Sequence, residues 1–479
     1  MIISNSWLQA DYGRDFAKFL LDNYKVKAVV DFSSRLFSIP LIGTLVLFLE
    51  KETDRSSRED NETVLVYANE EAKVEELLEI IERPRKYEGK MLVRVVRQGE
   101  IPRDEKWVNL IFDTSELLER IRKARHIVKT NEIFEAYRGN VKWMVWAIEN
   151  GRRPDTGANS FFYLNKDAVD HWGLKEFVHP VLVSPRYARN FTFTEKDWES
   201  LKDDGKLCYV FLCHKPRIDL PKPVVEYIRW GETQCTLRPS KKAGEKPKHC
   251  DEALSCQERE RNRKAGFFGW YDLGRVINAP IFTPYYARYL RRFNLSEFNT
   301  ALDADFISLI QKVGLDKKQL KALVAYLNST FARFYIETSG RAAGGAGPIA
   351  LDIKQTEEMP LLDVRKLSKR QIQELVELFD ELESKSRSLG GADKKSNLEK
   401  LKLTINKIDI YIAGLLGLPK KFVSKMVTMT ETLMERRLSR AEEARPEAVR
   451  GEEEPRMKPT QNLKTTREHQ EKPSLDKWI

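Results

Sequence analysis

The residues able to do chemistry lie scattered along this chain, and their spacing limits what each can do. Five cysteines occur, Cys208, Cys213, Cys235, Cys250 and Cys256, with His214 and His249 beside them. A zinc site takes four ligands in pairs, each pair commonly separated by about two to four residues. Cys208 and Cys213 sit at the edge of that spacing and the later trio is irregular, so buried thiols in the run Leu207–Cys213 are the better account. Asp31 with Glu50 and Lys51 does not make a metal-dependent nuclease core, because the glutamate and lysine are adjacent rather than one residue apart on a strand. None of the six histidines joins a serine or cysteine in a nucleophile arrangement, and His126, His171, His179 and His214 read as structural. The run Gly340-Arg341-Ala342-Ala343-Gly344-Gly345-Ala346-Gly347 can cradle phosphate through backbone N–H groups. It follows a helix and lacks the Gly-Lys-Ser/Thr ending of a nucleotide-binding loop. Two segments interleave basic, aromatic and amide groups: Arg186-Tyr187-Ala188-Arg189-Asn190-Phe191, and Tyr285 to Phe293 with Arg288, Arg291 and Arg292. Arginine reads guanine edges or grips phosphates, while a charged surface over an aromatic core is the equal alternative.

Charge distribution favours a polyanion. The 479 residues carry 82 basic and 72 acidic side chains, a net +10. Residues 1–115 hold 17 basic against 21 acidic, whereas 116–434 hold 54 against 41. A positive field concentrated in the middle of the chain suits nucleic acid; a solvated, Lys/Arg/Glu-rich surface is the alternative. The longest apolar run, Pro40 to Leu49, is about half of the ~18 residues a membrane span needs. The N-terminus has no basic region or cleavage pattern of a signal peptide, and five cysteines make no disulfide framework, so a cytoplasmic protein is expected.

The elements that must position these residues follow from periodicity. Phe16, Phe19, Leu20 and Tyr24 give a helix over 13–23. The runs Val26–Phe32, Leu41–Glu50, Thr63–Tyr67 and Met91–Val96 are strands, with an acidic helix over Glu70–Glu82. Such apolar strands are covered on both faces, and an unpaired first strand (Met1–Ser4) is expected to meet another chain. Residues 116–150 read as helical from Leu117, Leu118, Ile121, Trp143, Val145 and Ile148. From about 150 to 310 short strands, aromatics and turns dominate; helices return at Lys318–Glu337, Ser368–Ser384 and Asn397–Leu416. Beyond about 440 the composition predicts a disordered tail.

One ordered series is specific: Ser4-Asn5-Ser6-Trp7-Leu8, Asp11-Tyr12-Gly13, Phe19-Leu20-Leu21, Val29-Val30-Asp31, Leu36-Phe37, then Gly43-Thr44 to Leu49-Glu50-Lys51. It resembles the second half of the catalytic domain of N6-adenine-specific DNA methyltransferases of the gamma-class and fused restriction–methylation type. Looser matches continue through Thr156-Gly157-Ala158-Asn159-Ser160-Phe161-Phe162, Gly269-Trp270-Tyr271-Asp272-Leu273, Leu327-Asn328-Ser329-Thr330, Glu337 to Arg341, and Ile405-Asn406-Lys407-Ile408-Asp409 to Leu418. The resemblance implies an α/β partial doubly wound methyltransferase sheet, a mostly β (α+β) target-recognition domain, and C-terminal helices. It places the catalytic remnant at 1–115, a helical connector at 116–150, DNA recognition at 151–365, a helical brace at 366–435 and the tail at 436–479. It implies that Phe37 stacks on a flipped adenine, since base flipping needs an aromatic face. Together with the two basic–aromatic segments, it makes Asn159, Arg186, Arg189, Arg288, Arg291 and Arg341 the expected contacts to double-stranded DNA.

The departures are as informative. The chain has no Pro-Pro pair, so the family's Asn-Pro-Pro-aromatic catalytic tetrapeptide is absent, and no glycine loop for S-adenosyl-L-methionine is seen. The expectation is therefore a recognition half, inactive alone, with no catalytic, cofactor or metal residue of its own. S-adenosyl-L-methionine would be bound by a separate polypeptide carrying the N-terminal catalytic half. A non-catalytic DNA-binding specificity subunit is the alternative, and an inert remnant a third.

Overall fold

Five strands rich in β-branched residues form the first sheet: β1 (Ile2–Ser4), β2 (Tyr24–Phe32), β3 (Thr44–Lys51), β4 (Glu62–Ala68) and β5 (Met91–Arg97). Their order is β1-β3-β2-β4-β5. β3 runs antiparallel to both β1 and β2, β2 is parallel to β4, and β5 closes antiparallel on β4. Alternate side chains face opposite sides. Val26, Val29, Leu45, Leu47 and Leu65 pack with Trp7, Leu20 and Trp107 on one side; Ala28, Val30, Val64 and Val66 pack with Ile80 and Met91 on the other. The helices Gly13–Asn23 and Trp107–Ile111 serve the first face and Val74–Glu82 the second, so the sheet is mixed and covered on both faces. Strands β2 to β5 and the helices Gly13–Asn23 and Val74–Glu82 lie where the sequence patterns put them, whereas β1, expected to be unpaired, is paired antiparallel with β3.

The computed structural model describes residues 1–33, 43–69, 71–85, 87, 91–142, 158–237, 248–261, 266–342 and 347–442. Phe37, the positions Trp143, Val145 and Ile148, the pair Thr156-Gly157, residues 343–346 and, of the expected tail 436–479, residues 443–479 lie outside the described residues, while 436–442 continue the helix Lys420–Glu442.

Residues 116–150 depart from the helical expectation. Among the described residues of this stretch the α-helix is Ser115–Arg122; Ile127–Lys129 and Phe134–Arg138 are strands, and the latter buries Phe134 and Ala136 by two-residue alternation. Phe134–Arg138 edges a second five-stranded sheet with Phe306–Gln311, Ile281–Pro284, Asn294–Ser296 and Thr192–Phe193. A four-stranded sheet joins Ala301–Leu302, Val178–Leu182, Tyr209–Phe211 and Tyr163–Leu164. Helices Lys166–Trp172, Glu195–Asp203, Lys222–Thr233 and Leu254–Arg261 make this middle region α+β, with more helix than its turn-rich sequence suggested.

The periodic stretch read as one helix over Lys318–Glu337 is two, Lys317–Leu327 and Thr330–Ser339. The break is specified by polar capture. Asn328 is buried and bonds Phe293 through its side-chain oxygen and amide. The Asp409 carboxylate accepts from the Thr330 N–H at 2.7 Å and its hydroxyl at 2.6 Å. A carboxylate at a helix N-terminus satisfies donors that the helix cannot. Thus two separate strings of the sequence resemblance meet in space. Three long helices, Lys369–Ser388, Lys395–Leu416 and Lys420–Glu442, follow. Residues Met1–Ala444 pack as one unit. Among the described residues no helix is long and apolar enough to cross a membrane.

Candidate nucleic-acid interface

The end of the helix Lys420–Glu442 presents consecutive arginines to two different parts of the chain. Arg436 Nε donates to Asp31 Oδ2 at 2.7 Å, near the end of β2. Asp31 is fully buried and also accepts from Asn5 Nδ2 at 2.9 Å. Asn5 in turn donates its N–H to the Gly43 carbonyl at 2.9 Å. A Cβ on Gly43 would lie 2.6 Å from Asn5 Oδ1, so glycine is what lets the strand end approach. Asn5, Asp31 and Gly43, which the sequence resemblance singled out separately, are one hydrogen-bonded group.

Arg437 faces the other way. Its guanidinium forms a fork with Glu337, at 2.9 and 2.6 Å, and both side chains are buried. It also donates to the carbonyls of Arg288, at 2.5 Å, and Gly347. Planar guanidinium suits this bidentate geometry, and the pairing relieves the cost of burying both charges.

A second arginine pair divides its work in the same manner. Arg291, 3% exposed, donates to the carbonyls of Pro284, Tyr285 and Ile349. Burial lowers its pKa to about 9, with the Arg437 charge adding to the effect. Arg292 is also buried and donates to Ala188 and Pro185 carbonyls at 3.0 and 3.3 Å. Arg291 therefore braces the strand ends around Tyr285, and Arg292 braces the turn that carries Arg186 and Arg189.

The proposed DNA-contacting residues thus fall into distinct settings. Arg186 and Arg189 are exposed on the braced turn, with Arg189 Nε donating to the Arg186 carbonyl at 3.2 Å. Arg288 is half-buried over the Tyr289 ring, and its Nε and Nη2 have no partner among the described residues. Arg341 reaches the Tyr285 hydroxyl at 3.2 Å and Asp352 at 3.5 Å, leaving part of its guanidinium in solvent. Arg138 lies over the Tyr285 ring at 4.4 Å, so Arg138, Arg291 and Arg341 converge on one tyrosine. Asn159 begins the short helix Asn159–Phe162, whose Phe161 and Phe162 enter an aromatic core with Tyr227 and Trp270.

The cysteines are not gathered around a metal. Cys235 and Cys250 are joined as a disulfide, a pairing the sequence reading did not foresee, while Cys208, Cys213 and Cys256 are buried thiols. Burial pushes the Cys213 thiol up to about 12 and Cys208 up to about 11, away from reactive thiolate. Among the described residues no three His, Cys, Asp or Glu side chains group as metal ligands. The internal roles of Arg292, Arg436 and Arg437 were also missed. Their only sequence signal is the Arg-Arg doublet, which on its own reads as surface charge.

Residues 104–390 match the family model of the C-terminal domain of Type II methyltransferase M.Eco57I. Type II methyltransferase M.AccI of Acinetobacter calcoaceticus is 23% identical over 384 residues, covering 79% of this chain and 62% of that protein. The chain thus spans less than two thirds of that relative's length. Among solved structures, the type IIG restriction endonuclease BpuSI aligns with a TM-score of 0.44 at 15% identity, over 92% of this chain and 47% of that one.

Proposed function

The chain belongs to the family of the C-terminal domain of Type II methyltransferase M.Eco57I, and from that premise we propose that it recognises duplex DNA for an adenine-specific methyl transfer in a restriction–modification system. The observation that carries the DNA reading is the turn with Arg186 and Arg189: two exposed guanidinium groups on a backbone fixed from beneath by buried Arg292. Phosphate contacts set register, and a rigid base for such arginines limits the entropy lost on binding. Arg288 and Arg341 extend the basic surface. Arg291 acts behind it as a brace. Phe37 stacks on the flipped adenine, and Asn159 approaches the DNA from the middle region.

The methyl donor, S-adenosyl-L-methionine, and the catalytic tetrapeptide are supplied by residues outside this chain. What supports this is that the sequence contains no Pro-Pro pair, and so no Asn-Pro-Pro-aromatic segment. The first sheet then completes the catalytic domain of the assembled enzyme. Co-expression with a polypeptide carrying the donor loop and Asn-Pro-Pro-aromatic segment tests the proposal. Methylated adenine in duplex DNA above the level given by that polypeptide alone is expected; no increase overturns it.

A further inference from the structure

A cavity of about 510 Å³ lies between the helices Lys395–Leu416 and Lys420–Glu442 and the start of Thr330–Ser339. This is the size of a small-molecule site. Arg333 lines it, is 7% exposed, and its guanidinium makes no hydrogen bond or ion pair among the described residues. That is unusual, because a buried charge is costly unless paired.

The acids nearby are already engaged. Asp409 gives both carboxylate oxygens to Thr330. Glu431 pairs with Lys402 at 2.9 Å. Glu337, one turn beyond Arg333, is forked by Arg437. Burial holds the Arg333 guanidinium below its ordinary pKa; these carboxylates oppose that through space, yet none bonds it, and Arg437 adds to the lowering. Toward solvent the cavity is rimmed by Leu403, 73% exposed, and Ile410, 42% exposed, on one face of their helix. A charged group at depth beneath an apolar rim is the complement of an amphipathic anion.

We propose that this cavity binds a small organic oxyanion, a carboxylate or phosphate monoester. Its charged head bonds Arg333, and its apolar body lies against Leu403 and Ile410. A duplex phosphate has no apolar body and cannot follow the side chain beneath that rim, so the ligand is a free molecule.

Calorimetric titration of the full chain with phenyl phosphate, benzoate, inorganic phosphate and phenol tests this. At least one of phenyl phosphate and benzoate should bind saturably with Kd below about 1 mM, and more tightly than inorganic phosphate or phenol. Arg333→Met keeps the volume, removes the charge, and should weaken binding at least about tenfold. Leu403→Glu, at an exposed position that cannot disturb the core, should abolish it by repulsion. Binding of neither phenyl phosphate nor benzoate, or affinity unchanged in Leu403→Glu, overturns the proposal. Displacement of the bound probe by a short DNA duplex also overturns it, by giving the site to nucleic acid.

Discussion

Arg436 and Asp31 are 405 positions apart in the chain and meet through a buried 2.7 Å hydrogen bond. The helix Lys420–Glu442 therefore fastens the first sheet, while its next residue, Arg437, fastens Glu337 in the middle of the molecule. Removing one partner of a buried pair costs more than removing both, because the remaining charge stays desolvated. Arg436→Met should lower unfolding free energy by about 3 kcal/mol, and adding Asp31→Asn should restore part of that loss. Urea denaturation of the single and double variants measures it. A single variant indistinguishable from the parent would mean the pair does not hold these elements together.

The two arginine classes should separate experimentally. Arg186→Ala with Arg189→Ala removes two exposed charges, so duplex affinity should fall for every sequence and the log–log salt slope should shrink by about 2. Arg291→Ala should instead destabilise the fold, since three carbonyls lose their donor. If Arg291→Ala leaves the melting temperature unchanged, the brace described for it is wrong.

Acid stability carries its own signature. Burial raises Asp409 and Asp303 from the ordinary 3.8 to about 6. The folded state then holds more protons than the unfolded state between those values. Stability from these groups is full below about pH 4 and declines as pH rises to about 6. Each contributes on the order of 3 kcal/mol to that decline. Asp409→Asn should flatten the corresponding part of the stability–pH profile. An unchanged slope would place the carboxyl of Asp409 in a wetter setting.

The disulfide is countable. Alkylation of the unreduced, denatured chain should modify Cys208, Cys213 and Cys256 only, and all five cysteines after reduction. Mass spectrometry reads the difference, and five modifications without reductant would show that Cys235 and Cys250 are free.

How much of this was legible depends on distance along the chain. The strands β2 to β5 are largely apolar runs, and the helices Gly13–Asn23 and Val74–Glu82 carry 3.6-residue stripes, so local pattern is enough for these elements, though not for the pairing of β1 with β3. The strand Phe134–Arg138 is hidden because Tyr137 and Arg138 blur the alternation that Phe134, Glu135 and Ala136 begin, and its partner Phe306–Gln311 is far in sequence. The break after Leu327 depends on Asp409, some 80 residues onward, which periodicity cannot anticipate. The arginines near Tyr285 were visible as a basic–aromatic cluster, but burial divides them. Arg291 and Arg292 turn inward and Arg288 and Arg341 stay partly in solvent, a distinction set by which carbonyls lie within reach. The Asn5, Asp31 and Gly43 group was legible only through resemblance.

The central claim is that this chain grips duplex DNA through the exposed arginines of its middle region. Fluorescence anisotropy of a labelled duplex, titrated with the full chain across a salt series, tests it most directly. The account predicts saturable binding that weakens linearly in log–log salt and loses slope when Arg186 and Arg189 are replaced. Binding with no salt dependence, or a slope untouched by those replacements, would contradict it.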